Sequence, residues 1–108
     1  MENEPCLILV TFPNEQVARQ IGTLLVERQA AACVNLLPRV SSIYRWQGNV
    51  ETAEEVQAVI KTSSWAAGRV EALVAEHHPY DEPEILQVTV SGGSETFLTW
   101  LMESVAPS

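Results

Sequence analysis

Residues 32 to 62 constrain the fold more than any other stretch. They carry two long series of apolar, β-branched and aromatic side chains. The first is Cys33-Val34-Asn35-Leu36-Leu37 continued by Ser42-Ile43-Tyr44-Arg45-Trp46, and the second runs from Val50 to Thr62. A single compact turn signal, Gln47-Gly48-Asn49, separates them. In the second series Val56, Ala58 and Ile60 alternate with Gln57, Val59 and Lys61, the period-two pattern of a strand. Two long strands joined by so short a turn pair antiparallel as one hairpin. Pro38 cannot donate to a ladder, so it marks a bend or an edge position. A chain of 108 residues has room for one core, which predicts a single domain over residues 1–108 with the other elements packed on this hairpin.

Those elements are read from changes of period. Cys6 to Phe12 is an apolar run stopped by Pro13, as expected of a buried strand. Asn14 then caps a helix on which Val17, Ile21, Leu24, Leu25 and Arg28 recur at helical spacing. After the hairpin, Ser63 or Ser64 caps a second helix with Val70, Leu73, Val74 and His77 on one face. Gly68 weakens that helix by about 1 kcal/mol. It ends near His77, because His78 precedes Pro79 and is driven to extended geometry. Ile85 to Val90 is a fourth strand, and Gly92-Gly93-Ser94 leads into a last helix with Phe97, Trp100 and Leu101 on one side. The order predicts an α+β, ferredoxin-like βαββαβ sandwich with an extended hairpin and a C-terminal helix. Tyr44 and Trp46 lie beyond the length that two helices can cover, which points to an interface and hence an oligomer.

Fourteen acidic residues against six basic give a formal net charge of -8. That field repels phosphate backbones and anionic lipid, so nucleic acid and membrane surfaces are not expected partners. The acidic start Met1-Glu2-Asn3-Glu4 is not a secretory leader, and no apolar run reaches the roughly 18 residues that span a bilayer. A soluble, cytoplasmic protein is expected, with Cys6 and Cys33 as buried free thiols in a reducing compartment.

Six motifs in order, TFPNEQVA at 11–18, AACVNLLP at 31–38, SIYRWQGNVE at 42–51, IKTS at 60–63, HPYDEPEI at 78–85 and FLTWL at 97–101, make the chain similar to the CutA family of divalent-ion tolerance proteins. The resemblance implies a thermally stable homotrimer whose long hairpins cross between subunits, capped by the C-terminal segment. It also implies a cleft between neighbours that collects motif residues. Cys33, Trp46, Lys61, Tyr80 and Glu82 are the candidates for that cleft. Some members of the family are described as copper-binding, animal relatives are associated with anchoring of acetylcholinesterase, and the trimer resembles PII-type signalling proteins.

EHHPYDEPEI, residues 76–85, then has three readings. As structure, His77 packs on the helix face while His78 and Pro79 end the helix. As a metal site, His77 and His78 offer imidazoles suited to copper or zinc, with Asp81, Glu82 or Glu84 adding oxygen. Adjacent residues point apart, so the two imidazoles do not readily clasp one ion. The cysteine that the resemblance implies before T-x-P is Val10 here. Cys6 lies over ten ångströms away at roughly 3.3 Å per residue, and Cys33 reads as structural, so any site is weak and less copper-selective. As an enzyme, His78 would act as acid or base beside Tyr80, Glu82 and Lys61, but no nucleophile elbow, phosphate loop or dinucleotide fingerprint accompanies it. Glu51, Glu54 and Glu55 read as a solvated face. The expectation is a non-catalytic protein that binds divalent cations weakly through His77 and His78, without an organic cofactor. The alternative is a scaffold whose intersubunit cleft takes a small anion or a protein partner through Lys61 and Trp46.

Overall fold

The computed structural model describes residues 2–107. Its elements are β1 (Pro5–Phe12), α1 (Glu15–Glu27), β2 (Cys33–Trp46), β3 (Asn49–Ser63), α2 (Ala67–His77), β4 (Ile85–Thr89) and α3 (Glu95–Ser104). The strands form one antiparallel sheet in the order β2-β3-β1-β4. This is the βαββαβ arrangement expected from the sequence, with the long hairpin leaving the molecule 44 Å long and 25 Å in its other two dimensions.

The local chemistry follows the sequence at most ends. Asn14 accepts a hydrogen bond from Val17 N at 2.9 Å and opens α1, and Ser94 does the same for α3 through Phe97 N at 3.2 Å. Each satisfies an amide that the first helical turn leaves without a partner. α2 differs, starting at Ala67 with no side-chain cap. Ser63 Oγ accepts from Ala66 N, while Ser64 Oγ accepts instead from Glu4 N and so ties the N-terminal segment to this corner. The hairpin turns on Gln47 at φ 49° and Gly48 at φ 83°, the mirror-image two-residue turn whose twist suits a hairpin. Pro38 sits at a bulge: Leu37 pairs with Gln57 and Val40 with Glu55, so Pro38 and Arg39 together oppose Val56. The extra residue is Arg39, at φ 60°.

Strand parity divides the sheet into two faces. On the helix side Cys6, Ile8, Val10 and Phe12 of β1 lie beside Val56, Ala58, Ile60 and Thr62 of β3, all buried against Ala18, Ile21 and Leu25 of α1 and Val70 and Val74 of α2. Thr62 is tolerated there because its hydroxyl donates to Ala30 O at 2.6 Å. The other side carries the row Leu86-Leu9-Val59-Asn35 and, beside it, Val88-Leu7-Lys61-Cys33. Leu37, Tyr44 and Trp46 belong to the same side by register. α3 reaches the end of this second face, bringing Phe97 beneath Lys61, and Leu101 and Val105 pack with Ala32 and Ala66. Much of the second face stays open to solvent, with Leu37, Leu86, Val88, Tyr44, Trp46, Phe97 and Trp100 each more than two fifths exposed. Such a contiguous apolar surface is a mark of association.

Candidate functional site: a pinned strap and an open sheet face

Residues 78–84 form a strap that leaves the C-terminus of α2 and rounds the end of β1. His78 is buried and stacks on Phe12 with ring centroids 5.0 Å apart and 17° between the planes. Its Nε2 lies 2.8 Å from Thr11 O, and its Nδ1 accepts from Tyr80 N at 3.1 Å. A carbonyl can only accept and an amide can only donate, so the proton resides on Nε2 and the Nδ1 lone pair is occupied. On the far side of the sheet end, Tyr80 Oη donates to Glu55 Oε2 at 2.8 Å, and Gln57 Nε2 donates to Glu84 Oε2 at 3.2 Å. The strap is thus held at both faces of one sheet end.

Two expectations are corrected here. Extending the helical period puts His77 on the core face of α2, yet it is exposed, and its neighbour is the buried one. The period stops applying at the helix end, where His78 turns back onto Phe12. The sequence groups Glu55 with Glu51 and Glu54 on a solvated face, yet it is buried under Tyr80. Strand parity puts Glu54, not Glu55, on the face of Val56, Ala58 and Ile60, so the burial of Glu55 comes from Tyr80 and had no signal in the strand's own pattern.

Two fifths of Tyr80 remains exposed, but its hydroxyl is tucked in. Burial, then the hydrogen bond and the charge of Glu55, push its pKa up to about 12. The fold favours the neutral phenol, so this contribution is full below the ordinary tyrosine value near 10 and is lost as pH rises through 12. Absorbance titration at the phenolate band should resolve one tyrosine ionising near 12, and Glu55→Gln should bring it down. Identical curves for the two proteins would remove Glu55 from this role.

As a metal centre, one subunit offers little. Among the described residues no three His, Cys, Asp or Glu side chains come together as ligands. Both nitrogens of His78 are taken, so His77 and His78 do not form a chelating pair in this geometry. His77 is the accessible imidazole, with Nε2 3.9 Å from Glu76 Oε2, beside a groove of about 190 Å³ lined by Val17, Gln20, Ile21, Leu24 and Pro79. Two donors fall short of the four that zinc prefers.

The remaining candidates do not converge within a subunit. Glu82 is exposed. Trp46 pairs with Asn49 at the hairpin tip, twelve β3 residues from Lys61, or roughly 40 Å at 3.4 Å per residue. Tyr80 joins Glu55, six residues from Lys61 on the same strand. Only Lys61 and Cys33 are direct neighbours. Cys33 is half-buried and not a core thiol as its apolar setting suggested, because it lies in the row that the two core helices leave uncovered.

The family model for the CutA1 divalent ion tolerance protein matches residues 6–104. The "Divalent-cation tolerance protein CutA" of Thermus thermophilus is 42% identical over 98 residues, covering 91% of this chain and 95% of that protein. The "Protein CutA homolog" of Danio rerio is 38% identical over 102 residues, covering 94% of this chain and 68% of its own length. The solved structure of the Thermus thermophilus divalent cation tolerance protein superposes with a TM-score of 0.92 at 40% identity, covering 94% of this chain and 99% of that one. A structure from Archaeoglobus fulgidus, described as periplasmic, gives 0.91 at 33% identity over 94% and 99%. The protein from Arabidopsis thaliana, 34% identical over 98 residues and covering 91% of this chain and 54% of its own length, is described as chloroplastic, so relatives differ in described compartment while the likeness extends over nearly the whole chain. The chain belongs to the CutA1 divalent ion tolerance protein family.

Proposed function

We propose that this chain serves divalent-cation tolerance as a homotrimer that binds or senses copper or zinc weakly, and that it is not a catalyst. The observation that supports this reading best is the open sheet face. A subunit with Leu37, Leu86, Val88, Phe97 and Trp100 facing water, and Tyr44 and Trp46 on a hairpin that no helix covers, has an apolar area that assembly with copies of itself would bury. His77 with Glu76 supplies a cation foothold in each subunit, strengthened by the general field of a chain at net charge -8. His78 contributes only if the Tyr80 amide releases the Nδ1 lone pair to which it donates. No described helix is long and apolar enough to cross a membrane, and with both thiols free we assign the protein to the cytoplasm.

Calorimetric titration of metal-free protein with copper and zinc at neutral pH tests the cation part. Weak saturable binding near one ion per subunit should vanish in His77→Ala. Unaltered binding in that variant and in the double His77→Ala/His78→Ala protein would end the reading.

A second reading is favoured by Lys61, whose ammonium lies 5.5 Å over the Phe97 ring with no carboxylate at ion-pair distance among the described residues. There the trimer is a scaffold that holds a small anion or a protein partner, and binding depends on Lys61 and Trp46 instead of His77.

A further inference from the structure

α3 is joined to the rest of the fold at few points. Residues 90–94 before it lie outside any regular element and include Gly92 and Gly93. Of the ten residues from Glu95 to Ser104 only Leu101 is buried, and a helix of that length is marginal without packing. Leu101 and Val105 meet Ala32 and Ala66 in a cluster separate from the main core. Beyond Val105 the chain reaches the turn that follows α1. Ala106 N donates to Gln29 O at 2.9 Å, while Arg69 Nη2 donates to Gln29 O at 3.0 Å and to Ala106 O at 3.3 Å.

One guanidinium nitrogen thus ties the C-terminal segment to the end of α1. The charge suits the place. The last turn of α1 has no basic residue of its own, and the carbonyls at a helix C-terminus favour a cation. Arg69 Nε is buried without a partner, a cost that the bonds of Nη2 have to offset. Arg69 lies in the first turn of α2, whose Val70 and Val74 pack on the helix side of the sheet. Phe97 and Trp100, the exposed rings of α3, belong to the opposite, open side.

We propose that Arg69 is a positioning residue for assembly: from the helix side it latches the C-terminal segment, fixes α3, and so presents Phe97 and Trp100 for burial against a second copy of this chain. The inference rests on the reading that copies of the chain cover the open face, and it names the element whose order that contact needs. Phe97 lies against Lys61 of the row Val88-Leu7-Lys61, so its ring is continuous with apolar surface that assembly covers. Linkage makes the effect mutual. A fixed α3 favours assembly, and assembly protects α3 from local opening.

Two variants cut the latch from its two sides: Arg69→Met, and Ala106→Pro, which removes the amide that donates to Gln29 O. Hydrogen exchange of the assembled protein, read by mass spectrometry, should show residues 95–104 opening about tenfold faster in either variant, as the loss of such a hydrogen bond predicts. Amides of β1 and β3 should change by roughly twofold at most. Subunit exchange between isotope-labelled and unlabelled assemblies, followed by native mass spectrometry, should quicken by about the same factor or more. Leu86→Asp, with the latch intact, should lose protection in α3 as it loses its neighbours. Equal quickening of the sheet amides would make Arg69 a general stabiliser and overturn the proposal. So would a loosened α3 with unchanged subunit exchange, or an α3 as protected in both latch variants as in wild type. A wild type that sediments as monomer would end the assembly reading and this inference together, whereas a trimeric wild type with unaffected variants would end this inference alone.

Discussion

Replacing His78 with alanine is expected to cost the fold about 3 kcal/mol, counting the lost packing on Phe12 and two backbone groups left without partners. The imidazole fills space against a core aromatic, and it is the sole described partner of Thr11 O from the strap and of Tyr80 N. Alanine would orphan an acceptor at the end of β1 and a donor at the start of the strap, next to the Tyr80–Glu55 hydrogen bond. His77→Ala makes the control: that ring is exposed, and its contact with Glu76 at 3.9 Å is a surface pair of the kind that contributes less than about 1 kcal/mol. Urea unfolding at one fixed subunit concentration, needed because assembly couples to stability, should separate the two variants clearly. Equal midpoints would mean that the strap is held without its histidine.

Leu86→Asp should have an effect as large, but on assembly. Leu86 is 55% exposed and heads the row Leu86-Leu9-Val59 on the open face. In an isolated subunit a carboxylate there stays in water and the fold should survive. In a trimer that buries this row, each subunit would have to strip water from an unpaired charge, a penalty of about 3–5 kcal/mol by the cost of breaking buried ion pairs. Three copies multiply the effect. Sedimentation should find wild-type protein at three times the chain mass at micromolar concentration and Leu86→Asp as monomer with its circular dichroism unchanged. A variant that remains trimeric would place the interface elsewhere, and a monomeric wild type would remove it.

The sequence carried the architecture because each element has its own period, and because Asn14 has a side-chain oxygen that can accept from the first turn of a helix. The site was less legible for a physical reason. Which of two adjacent histidines is buried, and which of two adjacent glutamates, depends on how a short segment lands on a distant strand. His78 needs Phe12 and Glu55 needs Tyr80, partners 66 and 25 positions away. Cys33 looked like a core residue since its neighbours are apolar, but those neighbours include a face that a lone subunit leaves open.

The bulge at Pro38–Arg39 has a wider consequence. Residues 33, 35 and 37 share a face with Lys61, but beyond the bulge that face is held by 40, 42, 44 and 46. The extra residue acts as a phase shift between the two halves of the hairpin, and it decides that Tyr44 and Trp46, not Ile43 and Arg45, line up with the open apolar rows. Deleting Arg39 would leave Leu37 against Gln57 and Val40 against Glu55, and so keep Tyr44 and Trp46 on that face, whereas a regular strand using every residue from 33 to 46 would present Ile43 and Arg45 there. In this hairpin one spare residue lets the turn and the core each keep its own register, and the letters read at the contact depend on where that slack is taken up.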